Sequence, residues 1–476
     1  MTGRARLSRS GQPPKIGIVH LGPGAFFRAF NAPFTQDAMD IAGGDWGILA
    51  VSLRSPAARD ALSPQGGVYH AVTKQDGGLA PRLIKAVTDV WVAPDDPRAV
   101  VEAMADADVR IVSLTITEKG YCKSAETGGL DLDHPDIVHD LASRDQPVSV
   151  VGFIVAALMA RKTRGAGAFT VLSCDNLPSN GALVRRLVLE FAGQIDSDLT
   201  EWIETHATFP STMVDRITPA TTETDLDALA QLTGVQDDAA VFHEDFRQWV
   251  IEDSFAAGRP AWDEAGAQIV PSVDAHEMMK LRCLNGTHSM LAYLGYLAGY
   301  ETIADTVADL AFAALCERAW REEIIPTLPP PEGENVHIYC DTLIARYRDT
   351  SIRHRTWQIA MDGSQKLPQR ILGTIADNIA AGRATPCLIL TVAAWMRYVG
   401  GIDEQGAPID VRDPLAADLR AACDASDGTA ELVSELMSVA AIFPAGLRQH
   451  DAFRNAVADA SDRLIRDGAQ ATVRSL

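Results

Sequence analysis

Four short apolar runs constrain this chain more than anything else in it: IGIVHLG from Ile16, WGILAVSL from Trp46, VRIVSLTIT from Val109 and AFTVLSC from Ala168. All are rich in β-branched residues, and amphipathic stretches separate them, which is the pattern of buried parallel strands joined by crossover helices. The first half therefore reads as α/β. From about Pro271 the pattern changes to Ala, Leu and Met at helical spacing, as in MMKLRCLNGTHSMLAYLGYLAGY and AFAALCERAWREEIIP. A chain of 476 residues exceeds what one core usually supports, roughly 250–300 residues. We expect two domains, residues 1–270 and 271–476, the second mainly α-helical. The consecutive prolines of TLPPPEGEN from Thr327 cannot continue a helix and mark a loop inside it.

Charge narrows the partners. With 42 Lys and Arg against 63 Asp and Glu, the formal net charge is −21, whereas nucleic acid and anionic membrane surfaces need a basic footprint. A small anionic substrate stays possible, because a pocket can be locally basic. The start, MTGRARLSRSGQPPK, has no apolar segment behind its arginines and reads as a polar arm. The apolar stretches at 148–160 and 386–396 are shorter than the ~20 residues of a membrane span and read as buried helices. Seven cysteines, at 122, 174, 283, 316, 340, 387 and 423, show neither C-x2-C spacing nor a dense framework, so a reducing cytoplasm is expected.

The first apolar run leads into Leu21-Gly22-Pro23-Gly24-Ala25-Phe26-Phe27-Arg28, where a dinucleotide fold places its phosphate turn. Glycines let the backbone approach a pyrophosphate, and the following helix offers free N–H groups. Gly22, Gly24, Ala25, Phe26 and Arg28 are thus candidate cofactor contacts, with an ordinary strand-to-helix turn as the alternative. Phe27 stands where G-x-G-x-x-G has its third glycine. The second run ends Val51-Ser52-Leu53-Arg54-Ser55 without the carboxylate that usually holds an adenosine ribose. Arg54 is equally suited to a 2′-phosphate or to solvent, which leaves NAD and NADP both open.

The segment Lys280-Leu281-Arg282-Cys283-Leu284-Asn285-Gly286-Thr287-His288 is the richest in chemistry. In an α-helix Lys280, Asn285 and His288 would fall at about 0°, 140° and 80°, putting an amine, a carboxamide and an imidazole on one broad face. Burial lowers a lysine pKa and can make a general base near neutrality. Asn285 is suited to a developing alkoxide and His288 to orienting the substrate oxygen; a polar surface stripe is the alternative. Two more segments follow apolar strands: Asn176 in Ser173-Cys174-Asp175-Asn176 is a candidate oxyanion donor or turn former, and Asp215 with Arg216 is a candidate active-site pair or a plain salt bridge. No H-E-x-x-H and no Cys-His cluster of ligand spacing occurs, so no metal is expected.

These blocks in order, HLGPGAFFRAF, SLTITEKGYC, VLSCDN, FPSTMVDRITP, WVIEDSF, GRPAW and KLRCLNGTHSMLAYLGYLAGY, resemble the long-chain polyol-specific dehydrogenases, the mannitol dehydrogenase family, over nearly the full length. TEKGYC from Thr117, YETIADTV from Tyr300, RHRTWQIAMDGSQKLPQR from Arg353 and WMRYVGGIDEQG from Trp395 look most like its fructuronate-reducing branch. The resemblance implies a Rossmann-like cofactor domain, a helical domain closing the substrate cleft, and metal-free chemistry. It maps K-x4-N-x2-H onto Lys280 as general acid/base with Asn285 and His288 assisting. It also maps a second oxyanion donor onto Asn176, an active-site position onto Asp215, and a lysine near substrate onto Lys366. Phe30 stands where members commonly carry His, Ser254 replaces Asn of VIEDNF, and Gln358 stands where mannitol-type members carry Arg.

The implied reaction is hydride transfer between a nicotinamide cofactor and C5 of D-fructuronate, giving D-mannonate. Lys119, Arg355 and Lys366 are candidates for the substrate carboxylate. Mannitol 2-dehydrogenase and tagaturonate reductase are the rival enzymes, and a nucleotide-binding sensor without catalysis is the rival from another class. The expected partner is one small sugar acid or polyol, with the chain a monomer or homodimer.

Overall fold

The computed structural model describes residues 4–75, 77–124 and 126–476. The chain divides into two compact units, Met1–Asp274 and Ala275–Leu476.

In the first unit, five strands form one parallel sheet in the spatial order Val87–Val92, Gly47–Ser52, Ile16–Leu21, Ile111–Leu114, Thr170–Ser173. The four apolar runs of the sequence supply four of the five. Numbered along the chain this order is 3-2-1-4-5, the doubly wound arrangement whose direction reverses beside the first strand. Both faces are covered, and the strand period of two sorts the side chains between them. Val19, Leu21, Leu49 and Val51 enter one core with Ile154 and Leu158 of the helix Val150–Arg164. Ile18, Ile48 and Ala50 enter the other with Phe34, Trp249 and Trp262. Fully burying such a side chain contributes roughly 1.5–3 kcal/mol, so a one-residue slip would be prohibitive.

Arg161, buried on that same helix, fixes the helix to the sheet. Its guanidinium donates to the carbonyls of Met104, Asp106 and Val109 and, at 2.8 Å, to Gly167 O. Among the described residues, two three-stranded sheets complete the unit. In one, Gln248–Glu252 pairs antiparallel with Thr212–Asp215 and parallel with Gln268–Val270. The other joins Tyr69–Gln75 to Gly78–Ile84 and Val241–His243.

The second unit is helical, with Thr287–Leu297, Val336–Tyr347, Pro386–Val399, Thr429–Ser438 and Asp451–Arg474 as its longer helices. Buried Glu323 accepts from Cys387 N at 2.8 Å and Leu388 N at 2.9 Å, placing a carboxyl at the N-terminus of Pro386–Val399, where orphan N–H groups need an acceptor. Three turns are π-helical: Lys280–Gly286, Ala319–Ile324 and Pro368–Leu372. Such turns are rare and frequent at functional sites. Among the described residues, no helix is long and apolar enough to cross a membrane.

Candidate active site

At the carboxyl ends of the parallel strands, a pocket of about 590 Å³ is lined by Gly22, Pro23, Gly24 and Arg28, by Ser52 to Ser55, and by Thr115 to Thr117. This is the crevice beside the switch point, where open α/β sheets bind ligands. The Gly22 turn is fixed by sterics: its φ is +92°, and a Cβ would lie 2.3 Å from Thr115 O. Gly24 differs, since a Cβ there would meet nothing closer than 4.0 Å; the bare backbone faces open pocket. That fits a pyrophosphate approaching the main chain.

The sequence reading missed His20, which organises this turn from below. Its Nδ1 pairs with Ser113 Oγ at 2.8 Å and its Nε2 with Thr115 Oγ1 at 2.9 Å, with Gly22 O at 3.3 Å. Burial pushes its pKa down to about 3, so the ring stays neutral. Phe27 stacks on it, centroids 3.7 Å apart. The third glycine of the usual motif permits close packing of helix on strand; here a ring pair fills that space instead.

Ala25 and Phe26 do not line the pocket; their side chains pack against the core, and Phe26 stacks on Phe30. Arg28 lines it but spends its guanidinium on Ala239 O at 2.6 Å and Gly24 O at 3.4 Å. Arg54 lines the pocket too, ion-paired with Asp136. Asp136 comes from the helix Pro135–Ala142 and brings a carboxylate that the strand tip itself lacks. Cys122, His134 and Asp136 hold their ligating atoms within 4.8 Å of one another, a convergence invisible in their spacing. Burial pushes the Cys122 thiol up to about 11, so a metal ion bound there would have to displace that proton.

Asp175, also missed, holds the next wall. It accepts from Ile116 N at 3.1 Å, Thr117 N at 3.0 Å and Tyr121 Oη at 2.6 Å. Burial raises its pKa while those three bonds oppose the shift. Thr117 sits at φ 69°, ψ 161°, a conformation that an L-residue keeps only when its surroundings impose it. Lys119 follows, exposed and lining the dinucleotide pocket. Asn176 is exposed just past Asp175. Asp215 is buried at the end of Thr212–Asp215. The salt bridge proposed for it does not form with Arg216, whose guanidinium donates to Ala29 O at 2.6 Å, Phe246 O at 3.0 Å and Asp245 O at 3.2 Å.

In the second unit, Lys280 opens the π turn Lys280–Gly286 and is 8% exposed. The expected α-helical angles are corrected here. The i→i+5 ladder widens the turn, which brings Lys280 and Asn285 nearer to one face than α geometry would. The turn exists because side chains take carbonyls that an α-helix would have used. Cys283 O accepts from Thr287 Oγ1 at 2.5 Å and Trp320 Nε1 at 3.0 Å, Leu284 O accepts from Tyr347 Oη at 3.0 Å, and Asn285 O accepts from Arg370 Nη1 at 3.4 Å.

His288, 8% exposed, stacks on Tyr347 at 5.0 Å and meets His354 edge-on at 4.8 Å. Burial first, then His354, Arg370, Arg346 and Lys366, hold its pKa well below the usual value. It is a neutral imidazole in a locally basic part of an acidic chain. Lys366 donates to Met361 O at 2.6 Å and Ile359 O at 3.2 Å, and burial pushes its pKa down to about 8. Arg355 is exposed and faces Glu301, with which it pairs at 3.7 Å.

Residues 16–264 match the family described as the mannitol dehydrogenase Rossmann domain, and residues 272–465 the mannitol dehydrogenase C-terminal domain. D-mannonate oxidoreductase of Escherichia coli is 45% identical over 96% of this chain and 95% of its own length. Mannitol 2-dehydrogenase of Phaeosphaeria nodorum is 40% identical, over 96% and 81%. The solved structure of Pseudomonas fluorescens mannitol 2-dehydrogenase with NAD and D-mannitol superposes with a TM-score of 0.84 at 36% identity, covering 99% of this chain and 96% of that one.

Proposed function

The chain belongs to the mannitol dehydrogenase family, and from that premise we propose that it is an NAD-dependent secondary-alcohol dehydrogenase that reduces D-fructuronate to D-mannonate. The observation that carries the chemistry is the nearly buried Lys280 on the same π turn as Asn285, with a neutral His288 three residues on. A ketone reduced by hydride develops negative charge on its oxygen, and a general acid must then protonate it.

The turn at Gly22 and Gly24 would hold the pyrophosphate of NADH, and the chemistry the cofactor would supply is a hydride. The Lys280 ammonium gives its proton to the carbonyl oxygen, and in the reverse direction the amine takes it back. The Asn285 carboxamide donates to that oxygen as charge builds. His288, being neutral, offers one N–H donor and one acceptor and can orient the substrate without adding charge. Asn176 as a second oxyanion donor and Asp215 as an active-site position are proposed on the family resemblance. No step asks for a metal ion.

The choice of a sugar acid rests on the likeness to D-mannonate oxidoreductase along the whole chain and on the excess of cationic groups around His288. The mannitol 2-dehydrogenase relatives make neutral fructose the second reading. Initial rates of NADH oxidation with D-fructuronate, D-tagaturonate and D-fructose separate the readings. D-fructuronate is expected to have the highest kcat/KM, unchanged by a chelator and lower with NADPH; preference for fructose would overturn the proposal.

A further inference from the structure

We infer that Arg370 is the group that receives the carboxylate of the substrate, and so sets the preference for a sugar acid over a neutral sugar. The inference rests on the proposed reaction and sharpens it to one residue.

Arg370 lies in the π turn Pro368–Leu372, and its own carbonyl would be 3.1 Å from a Cβ at Gly286. The turn that carries Arg370 therefore packs against the turn that carries Lys280 and Asn285. A guanidinium has five N–H donors in a planar fork. Arg370 uses only Nη1, toward Asn285 O at 3.4 Å and Ser289 Oγ at 3.2 Å. Both bonds are long and both acceptors neutral. Among the described residues, no carboxylate pairs with it and its Nε and Nη2 make no hydrogen bond.

The surroundings deepen the deficit. Lys366 on the preceding turn adds positive charge, His288 next to Ser289 is neutral, and burial lowers the pKa of Arg370 itself, opposed by Tyr293 and Tyr347. A desolvated guanidinium without an anion is costly, and an arriving carboxylate relieves that cost with two parallel N–H···O bonds.

Three other cations are already committed. Arg282 pairs with Asp377 at 2.6 Å and Arg355 with Glu301. Lys366 is capped by two carbonyls and has Asp362 and Asp413 supporting its charge. Lys119 lines the dinucleotide pocket. Of the basic residues weighed for this role, none combines a spare fork with a place beside the catalytic turn as Arg370 does.

The test compares the wild type with Arg370→Met and Arg370→Lys, full chains with NADH, on D-fructuronate and D-fructose. It also measures inhibition of any turnover by D-gluconate, an unreactive carboxylate, against sorbitol. Loss of a charge-assisted pair corresponds to roughly 10- to 100-fold in affinity. Arg370→Met is therefore expected to raise KM for D-fructuronate by that factor, to leave KM for fructose within about threefold, and to abolish the advantage of gluconate over sorbitol. Arg370→Lys is expected to fall between. Equal losses on both sugars would overturn the inference and leave Arg370 as a staple of the π turn. If Arg370→Met fails to fold, a Lys variant with an unchanged fructuronate-to-fructose ratio overturns it. If the wild type does not reduce D-fructuronate, the proposed function fails first; the gluconate-over-sorbitol advantage and its loss in the Lys variant still decide whether Arg370 binds a carboxylate.

Discussion

Replacing Asp175 by Ala would release the wall of the dinucleotide pocket. The carboxylate holds Ile116 N, Thr117 N and Tyr121 Oη, three donors on a segment of six residues. Leaving one buried donor unsatisfied costs about 1–3 kcal/mol. Water reaches some of these groups in the variant, so we expect a total near 3 kcal/mol, not the full sum. A further effect comes from Thr117, whose φ of 69° stores about 1–3 kcal/mol of strain that only its surroundings sustain. Once the acceptor is gone, the strain drives the segment toward a relaxed backbone. Ile116, Thr117, Lys119 and Gly120 all line the pocket, so the loss should appear in cofactor affinity. Fluorescence titration should show NADH binding at least tenfold weaker in Asp175→Ala, with a Tm lower by several degrees. Asp175→Asn, which keeps one acceptor oxygen, should fall between, and Thr117→Gly alone should change Tm little. An Asp175→Ala protein with wild-type NADH affinity and Tm would refute the reasoning.

Tyr347→Phe removes the donor to Leu284 O and the partner of Thr287 Oγ1; turnover should fall severalfold while NADH affinity is unchanged, as titration and steady-state kinetics would report. Lys366 offers a pH test. Its folded pKa of about 8 lies below the ordinary 10.5, so between those values the unfolded chain binds more protons and stability rises with pH. Below about pH 8 both states are protonated and the slope vanishes. The wild type minus Lys366→Met difference in Tm should therefore shift in favour of the wild type between pH 8 and 10, by an amount equivalent to at most about 3 kcal/mol. A flat difference would contradict the burial of that amine.

The parallel sheet was legible because its evidence is local: β-branched runs such as IGIVH and VRIVS bury on both faces wherever they sit. The Gly22 turn was legible for the same reason. What escaped depends on residues far apart in the chain. The π turn at Lys280 is set by donors from Tyr347, Trp320 and Arg370, and periodicity within the segment cannot distinguish it from α. His20 reads as one polar residue in an apolar strand until Ser113 and Thr115 come beside it. Arg54 gives no hint of Asp136, 82 positions away. The candidate carboxylate receptors were chosen by motif, and burial and pairing reorder them: Arg355 faces an exposed glutamate, while Arg370, in the same quoted block, has a fork to spare.

The account's central claim, that Lys280 moves the proton in a nicotinamide-dependent reduction of D-fructuronate, is tested most directly by Lys280→Ala. General acid–base groups typically contribute 10²–10⁴-fold. We predict kcat for D-fructuronate reduction to fall by about that factor, with NADH affinity within twofold of wild type. Near-normal turnover in Lys280→Ala would contradict it.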